Sequence, residues 1–204
     1  MQLAVLSLPI FLLPAGTTRI RIVEPRHMDI IKQAANAEGF VVFPSDNKLS
    51  LSETNSEHNW GSWVKIIDFN QVNNDHFNVD VRCESLVNLS SVSLLANGSV
   101  EAKCEPFSHW DNAAFKRLPE EIGDHCIKLQ HTLRAIFHSH RLLCSFYPIP
   151  VFESPIWVCQ RWLEILPLQQ EHRNMFVKQD SLQDAMSFIA DIVLSNDIKE
   201  SSPA

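Results

Sequence analysis

The sequence predicts an α+β protein in which a β-rich first half, with one early helix, is followed by a bundle of helices. Two observations support this class. Before about residue 110, segments with alternating apolar and polar side chains are separated by turn residues such as Asn97-Gly98. After that point, apolar residues recur at three- and four-residue spacing, as on one face of a helix. We therefore expect two domains, a β domain over residues 1–110 and an α-helical bundle over residues 111–204.

The β half is expected to contain short strands and a single helix. Pro25 favours a helix start, because proline is tolerated in the first helical turn, and Gly39 is a suitable residue to end that helix. Residues 44–61 are polar and predict a long surface loop. The predicted strands cover residues 3–8, the segment around Ile20 and Ile22, and residues 39–43, 63–69, 76–83, 86–95 and 99–105.

The second half is expected to contain four helices. Pro119 and Pro155 open the first two, and the Tyr147-Pro148-Ile149-Pro150 segment between them predicts a loop. The third covers residues 168–178. The fourth begins at Ser181, which with Asp184 resembles a capping box.

Composition and missing motifs exclude several classes of protein. The net charge of −7 and the lack of clustered Lys and Arg argue against a nucleic-acid partner. Neither an apolar run of about 20 residues, as in a membrane span, nor a P-loop, GxGxxG, GxSxG, HExxH or CxxC motif occurs. We therefore expect no enzyme activity, no cofactor and no membrane partner.

The apolar N-terminal run ending at Ala15-Gly16 has two interpretations. It could be a secretion signal, but no Lys or Arg precedes it, and Pro9 and Pro14 would break a signal helix. A folded strand and turn fit better. Five scattered cysteines, an odd number, fit reduced core thiols. Both observations predict a cytoplasmic protein.

Two groups of residues are candidates for catalytic or metal sites. One metal-enzyme alternative uses the segment that contains His125, Cys126, His131, His138, His140 and Cys144. Ligands on one helix face need spacings of three or four, whereas His138 and His140 are two apart. A nucleophile pair of Cys104 and His109 has no third group to orient the base. We therefore predict no catalytic and no metal-binding residue.

Aromatic residues near the loops of the β domain are candidates for a peptide-binding patch. These residues are Trp60, Trp63, Phe107 and Trp110. The alternative is that they cover a small core.

Two motifs carry a resemblance to a known family. The run Leu8-Pro9-Ile10-Phe11, then Pro14 and Gly16, and then Glu24-Pro25-Arg26-His27 resembles the start of the Lon protease N-terminal domain. The family usually has tyrosine where His27 stands. The stretch of residues 157–168, followed by Met175-Phe176, resembles the helical part of stand-alone bacterial members. We therefore expect a stand-alone member that lacks the ATPase and protease domains of the family.

The resemblance implies a PUA-like β-barrel, or pseudobarrel, followed by a helical bundle. It also implies a non-catalytic module that recognises unfolded segments, peptides or a partner protein. An RNA-binding module is the alternative, because PUA-like barrels elsewhere bind RNA, although the acidic charge opposes it. We expect the motif residues to be architectural. These residues are Pro9, Pro14, Gly16, Glu24, Pro25 and Arg26.

Overall fold

The computed structural model describes residues 1–35, 38–45, 59–73, 76–95, 98–116 and 118–200. The chain divides into two compact units, Met1–Ser108 and His109–Ala204. Most of the loop predicted over residues 44–61, and most of the predicted turns at residues 73–75 and 97–98, lie outside the described residues.

The first unit contains one mixed sheet and one helix. The strands pair in the order β2-β5-β4-β3-β1-β6, and β6 also pairs with β5. Five strands therefore form a closed ring, with β2 attached outside it, which is not a regular barrel. The elements are β1 (Gln2–Leu8), β2 (Thr17–Ile22), α1 (Pro25–Ala35), β3 (Phe40–Pro44), β4 (Trp60–Asn73), β5 (His76–Leu94) and β6 (Val100–Phe107).

The prediction of two separate strands over residues 76–83 and 86–95 was wrong, because β5 is continuous. Polar residues at positions 84 and 85 resemble a turn in the sequence. In the structure, Val64 pairs with Cys83 whereas Trp63 pairs with Ser85, so Glu84 is the extra residue of a β-bulge. The exposed Glu84 carboxylate lies 3.9 Å from Lys65 Nζ. A single strand can therefore pair with β2 in its first half and with β6 in its second.

The β unit has two apolar clusters, one on each side of β3. Phe40 and Val42 belong to the cluster that includes Ile30 and Ile31 of α1, whereas Val41 and Phe43 belong to the other. Because side chains alternate along a strand, both faces of β3 are buried. This explains why β3 is an unbroken apolar run in the sequence rather than an alternating one.

The second unit is helical, and α3, α5 and α7 contact one another. Its helices are α2 (Asn112–Lys116), α3 (Glu120–Ser139), α4 (Arg141–Phe146), α5 (Pro155–Ile165), α6 (Gln170–Phe176) and α7 (Leu182–Glu200). The short helices α2 and α4 were not predicted, because five or six residues are too few to show a helical period. The predicted third helix starts too early, since α6 begins at Gln170, beyond Pro167. None of the helices in the described residues combines the length and the apolar character that a membrane span requires.

Candidate protein-binding surface

Part of β4 and β5 extends past the ring as an arm. The pairing between β3 and β4 ends at Phe40 and Val64. Beyond that point β4 continues to Asn73, paired with β5, and β5 is paired on its other side with β2. We call this three-stranded region the arm. Within the described residues, no strand pairs with the outer edge of β4 along the arm.

An apolar surface is exposed on the arm. Phe69 is 45% exposed and stacks on the half-buried Phe77, with ring centroids 5.2 Å apart. Phe69 also lies opposite Val79, whose side chain is fully buried in the core. Ile67, two residues before Phe69, is 53% exposed. We call Ile67, Phe69 and Phe77 the arm surface, in which Phe77 packs against the core cluster of the first unit.

A bulge in β4 sets the position of Ile67. Ile66 pairs with Val81 and Asp68 pairs with Asp80, so Ile67 has no cross-strand partner. The Asp68 carboxylate accepts a 2.8 Å hydrogen bond from the Phe69 amide through Oδ1 and a 3.1 Å bond from Asn70 Nδ2 through Oδ2. These local bonds replace ladder bonds and stabilise the bulge.

The opposite face of the arm is ionic. Arg19 donates two hydrogen bonds to Asp80, of 2.6 and 2.7 Å, from neighbouring strands. Asp80 is only 7% exposed, and its hydrogen bond raises the pKa of Arg19. Asp80 adjoins Val79 in β5, so its side chain points away from the arm surface. A charged pair on one face and an aromatic stack on the other hold the arm in shape.

The first motif residues form the connection between β1 and β2. Pro9 is exposed, Pro14 is half-buried and Gly16 is buried. The Gly16 amide donates to the Leu13 carbonyl at 2.8 Å, and Ala15 has a φ of 63°. Proline followed by a residue with positive φ corresponds to a type II turn. The Gly16 carbonyl then accepts a 2.8 Å bond from the Cys83 amide, which connects the turn to β5.

The remaining motif residues lie at the start of α1. Glu24 precedes the helix, and its carbonyl accepts from the His27 amide at 3.0 Å. Its carboxylate is 3.9 Å from His27 Nε2. Pro25 and Arg26 form the first turn of α1. The side chain of Arg26 lies outside what the structure describes. The architectural role of the motif stays a prediction.

The four aromatic residues of the predicted patch differ in exposure. Trp60 is 3% exposed and packs edge-to-face on Phe11, with centroids 5.8 Å apart. Trp110 is 7% exposed, stacks on His109, and donates from Nε1 to the Lys178 carbonyl at 3.1 Å. Burial of Trp60 and Trp110 supports the alternative, a packing role.

Trp63 and Phe107 are half-buried. The Trp63 indole donates to the Glu38 carbonyl at 2.7 Å, and Lys65 Nζ lies 5.3 Å from its ring centroid. Phe107 lies opposite Leu86 in the ladder between β5 and β6. A peptide-binding role for this pair stays a prediction.

The His and Cys residues considered for a metal site are spread over α3 and α4. Among the described residues, no group of three or more His, Cys, Asp or Glu is placed to hold a metal ion. His131, His138 and His140 are exposed. The Cys144 thiol donates to the Phe137 carbonyl at 2.9 Å, and Cys126 is buried.

The Cys104 thiol lacks the environment of a nucleophile. It is buried, and its sulfur lies 3.4 Å from the Ala102 carbonyl. Burial raises the pKa of Cys104 to about 11, so the thiol is protonated at neutral pH.

His109 is a structural residue of the second unit. It is 7% exposed, its Nε2 is 2.8 Å from the Phe176 carbonyl, and its Nδ1 is 3.0 Å from Gln160 Nε2. A carbonyl can only accept, so Nε2 carries the proton and Nδ1 accepts from the Gln160 amide. Burial, helped by the positive charge of Arg161, lowers the pKa of His109 to about 4.

Because His109 is buried in its neutral form, we predict that the second unit loses stability in mild acid. The folded pKa lies below the unfolded value of about 6.5, so the unfolded chain binds the proton more readily between these pH values. The contribution of neutral His109 to the free energy of unfolding is therefore complete above pH 6.5 and is lost as the pH falls towards 4. We expect urea unfolding to show a loss of about 2 kcal/mol between pH 7 and pH 5.

Two variants test this pH dependence. His109→Gln should flatten it over that range, whatever its own stability, whereas the exposed His131→Gln should leave it unchanged. An equal pH dependence in His109→Gln and the unsubstituted protein would contradict the assignment.

The sheet whose ring closes through β5, together with the helices that follow it, defines the fold as that of Lon N-terminal domains. The solved structure of a Lon N-terminal domain protein from Xanthomonas campestris matches with a TM-score of 0.63 at 22% identity, covering 93% of this chain and 96% of that chain. The N-terminal domain of the Mycobacterium avium complex Lon protease matches with a TM-score of 0.63 at 13% identity, covering 94% and 97%. No protein-family model and no curated protein matches the sequence. The predicted resemblance is confirmed at the level of the fold.

Proposed function

We propose that this protein is a non-catalytic, cytoplasmic module that binds exposed apolar segments of unfolded or partner proteins on the arm surface. The observation that carries the proposal is the exposure of Ile67 and Phe69 beside the half-buried Phe77. The fold shared with the N-terminal domain of a Lon protease supports it, since the family resemblance implies substrate recognition. Buried cysteines that form no disulfide, such as Cys104 and Cys159, support a reducing compartment.

The arm surface is suited to transient contacts. Two half-exposed apolar side chains contribute roughly 2 kcal/mol together when a ligand covers them. The stack of Phe69 on Phe77 orders the exposed ring before binding, which lowers the entropic cost of ordering it. Such a surface recognises apolar character rather than a particular sequence, because burial of apolar area has no directional requirement.

The arm surface can be tested with a permanently unfolded protein. Fluorescence anisotropy with labelled, reduced and carboxymethylated α-lactalbumin would measure Kd for the protein and for the double variant Ile67→Ser with Phe69→Ser. We expect the double variant to raise Kd at least about tenfold, because the ligand loses both apolar contacts.

A matched control lies at the other end of β5. Leu94 is 67% exposed, so Leu94→Ser removes a similar exposed apolar side chain away from the arm. We expect it to leave Kd unchanged, with circular dichroism confirming that all variants fold. Equal Kd values for the double variant and the unsubstituted protein would reject the arm surface as the binding site.

A further inference from the structure

Strand β1 changes its pairing partner along its length. Its first residues pair with β6, from Gln2 with Lys103 to Val5 with Val100. Its last residues pair with β3, from Val5 with Val41 to Leu8 with Pro44. Beyond Val5, therefore, the described residues provide β1 with a strand on only one of its two edges.

Hydrogen bonds at the two ends of β1 define the directions of its backbone groups. Met1 and Cys104 exchange two bonds, with the Met1 ammonium donating at 3.1 Å and the Cys104 amide donating at 2.8 Å. On the other edge, the Ser45 amide donates to the Leu8 carbonyl at 2.9 Å. Successive residues direct their N–H and C=O groups to alternate edges of a strand. The backbone groups of Ser7 therefore point to the edge that β6 occupies only as far as Val5.

Strand β6 begins only at Val100 because the residues before it form a turn. Continuing the register by two residues would place Gly98 opposite Ser7. Gly98 instead has a φ of 80°, and its amide donates to the Leu95 carbonyl at 2.9 Å. The Leu95 amide in turn donates to the Ser99 carbonyl at 2.8 Å. These bonds hold Gly98 in the turn between β5 and β6. The pairing of β1 with β6 therefore stops at Val5 and does not reach Ser7.

A groove occupies this position. We call it the β1 groove, and it has a volume of about 270 Å³. The buried side chains of Leu6 and Ile30 provide apolar lining, and Glu24 provides a carboxylate that is 49% exposed. The groove is lined by Val5, Leu6, Ser7, Glu24, His27, Ile30, Gly98, Ser99 and Val100.

We infer that the β1 groove binds an extended segment of a partner protein, which pairs with Ser7 as a short added strand and places a Lys or Arg side chain beside Glu24. An open strand edge is a template for such pairing, in which main-chain bonds supply affinity and side-chain pockets supply selectivity. The carboxylate at the rim and the net charge of −7 favour a basic segment over an acidic one. This inference rests on the proposed function, because it assigns to the same protein-binding module a second site that acts independently of the arm surface.

Short peptides test the groove directly. The probe is a labelled peptide of alternating Thr and Lys residues, compared with the same peptide carrying Glu in place of Lys. We expect measurable binding of the Lys peptide and none of the Glu peptide. Methylation of alternate backbone nitrogens in the Lys peptide should weaken binding at least about tenfold, because a methylated nitrogen cannot donate to a strand.

Protein variants separate this site from the arm surface. Glu24→Gln should raise the Kd of the Lys peptide about threefold, as expected for the loss of an exposed ion pair. It should leave the Kd of the unfolded protein unchanged. The double variant of Ile67 and Phe69 should bind the Lys peptide normally. Three outcomes would overturn the inference: no binding of the Lys peptide, equal binding of its methylated form, or loss of binding in the arm variant. If the Lys peptide fails to bind while the double variant of Ile67 and Phe69 still shows weakened binding of the unfolded protein, the inference about the groove is rejected and the proposed function stands.

Discussion

Replacement of Arg161 by alanine is expected to lower the free energy of unfolding of the second unit by about 3–5 kcal/mol. Arg161 is 1% exposed, and its Nε and Nη2 atoms lie 2.7 and 2.9 Å from the two carboxylate oxygens of Glu164. Its guanidinium is 5.7 and 5.4 Å from the ring centroids of Tyr147 and Trp157. The substitution removes an ion-pair partner of the largely buried Glu164 carboxylate and leaves a cavity beside two aromatic rings.

The half-buried Arg134 provides a control for Arg161. It forms an ion pair with Glu153 at 3.4 Å in the same unit, with side chains that are 43% and 78% exposed. Arg134→Ala should therefore cost less than about 1 kcal/mol. Urea titrations followed by tryptophan fluorescence compare the two variants. A loss of less than about 1 kcal/mol in Arg161→Ala as well would show that the buried pair contributes little.

Replacement of Gly39 by alanine is expected to cost the first unit at least about 3 kcal/mol, or to prevent it from folding. Gly39 has a φ of 99°, where a side chain is strained, and it immediately precedes β3. A Cβ atom would lie 2.1 Å from the carbonyl oxygen of Val64. That oxygen belongs to the backbone of β4 at the end of its ladder with β3, so it cannot move without disturbing the pairing.

Gly123 gives the opposite expectation for the same substitution. It lies in α3, and apart from its chain neighbours and its own helix backbone no atom of the described residues is within 4 Å of its hypothetical Cβ. Gly123→Ala should therefore raise the stability of the second unit by about 0.5–1 kcal/mol, because alanine has the higher helix propensity. Chemical unfolding measures both variants. Equal, small effects at Gly39 and Gly123 would contradict the close approach of Gly39 to β4.

The parts of the fold that depend on local pattern were predictable from the sequence. Alternation around Ile20 and Ile22 predicts β2, and Pro25 begins α1 where proline is favoured. The continuity of β5 was not predictable, because the bulge at Glu84 can be recognised only when the pairing of β5 with β4 is known. Ring closure likewise depends on pairing between β1 and β6, which lie about a hundred residues apart.

The arm surface could not be predicted from the sequence for a similar reason. Phe69 was predicted as the last residue of a strand, but its exposure follows from the end of the pairing between β3 and β4 at Val64. Conversely, Trp60 was a surface candidate and is buried against Phe11. The burial of His109 depends on Gln160 and Phe176, which are 51 and 67 positions away. Sequence pattern indicates which side chains are apolar, whereas tertiary pairing decides which of them reach solvent.

The sharing of β5 has a mechanical consequence. Its first half carries Phe77 in the arm, and its second half closes the ring through β6. Under the proposed function, a load on a segment bound to the arm would pass along the backbone of β5 into the ring. Because no turn separates the two halves of β5, we expect the arm and the ring to lose structure together in unfolding experiments.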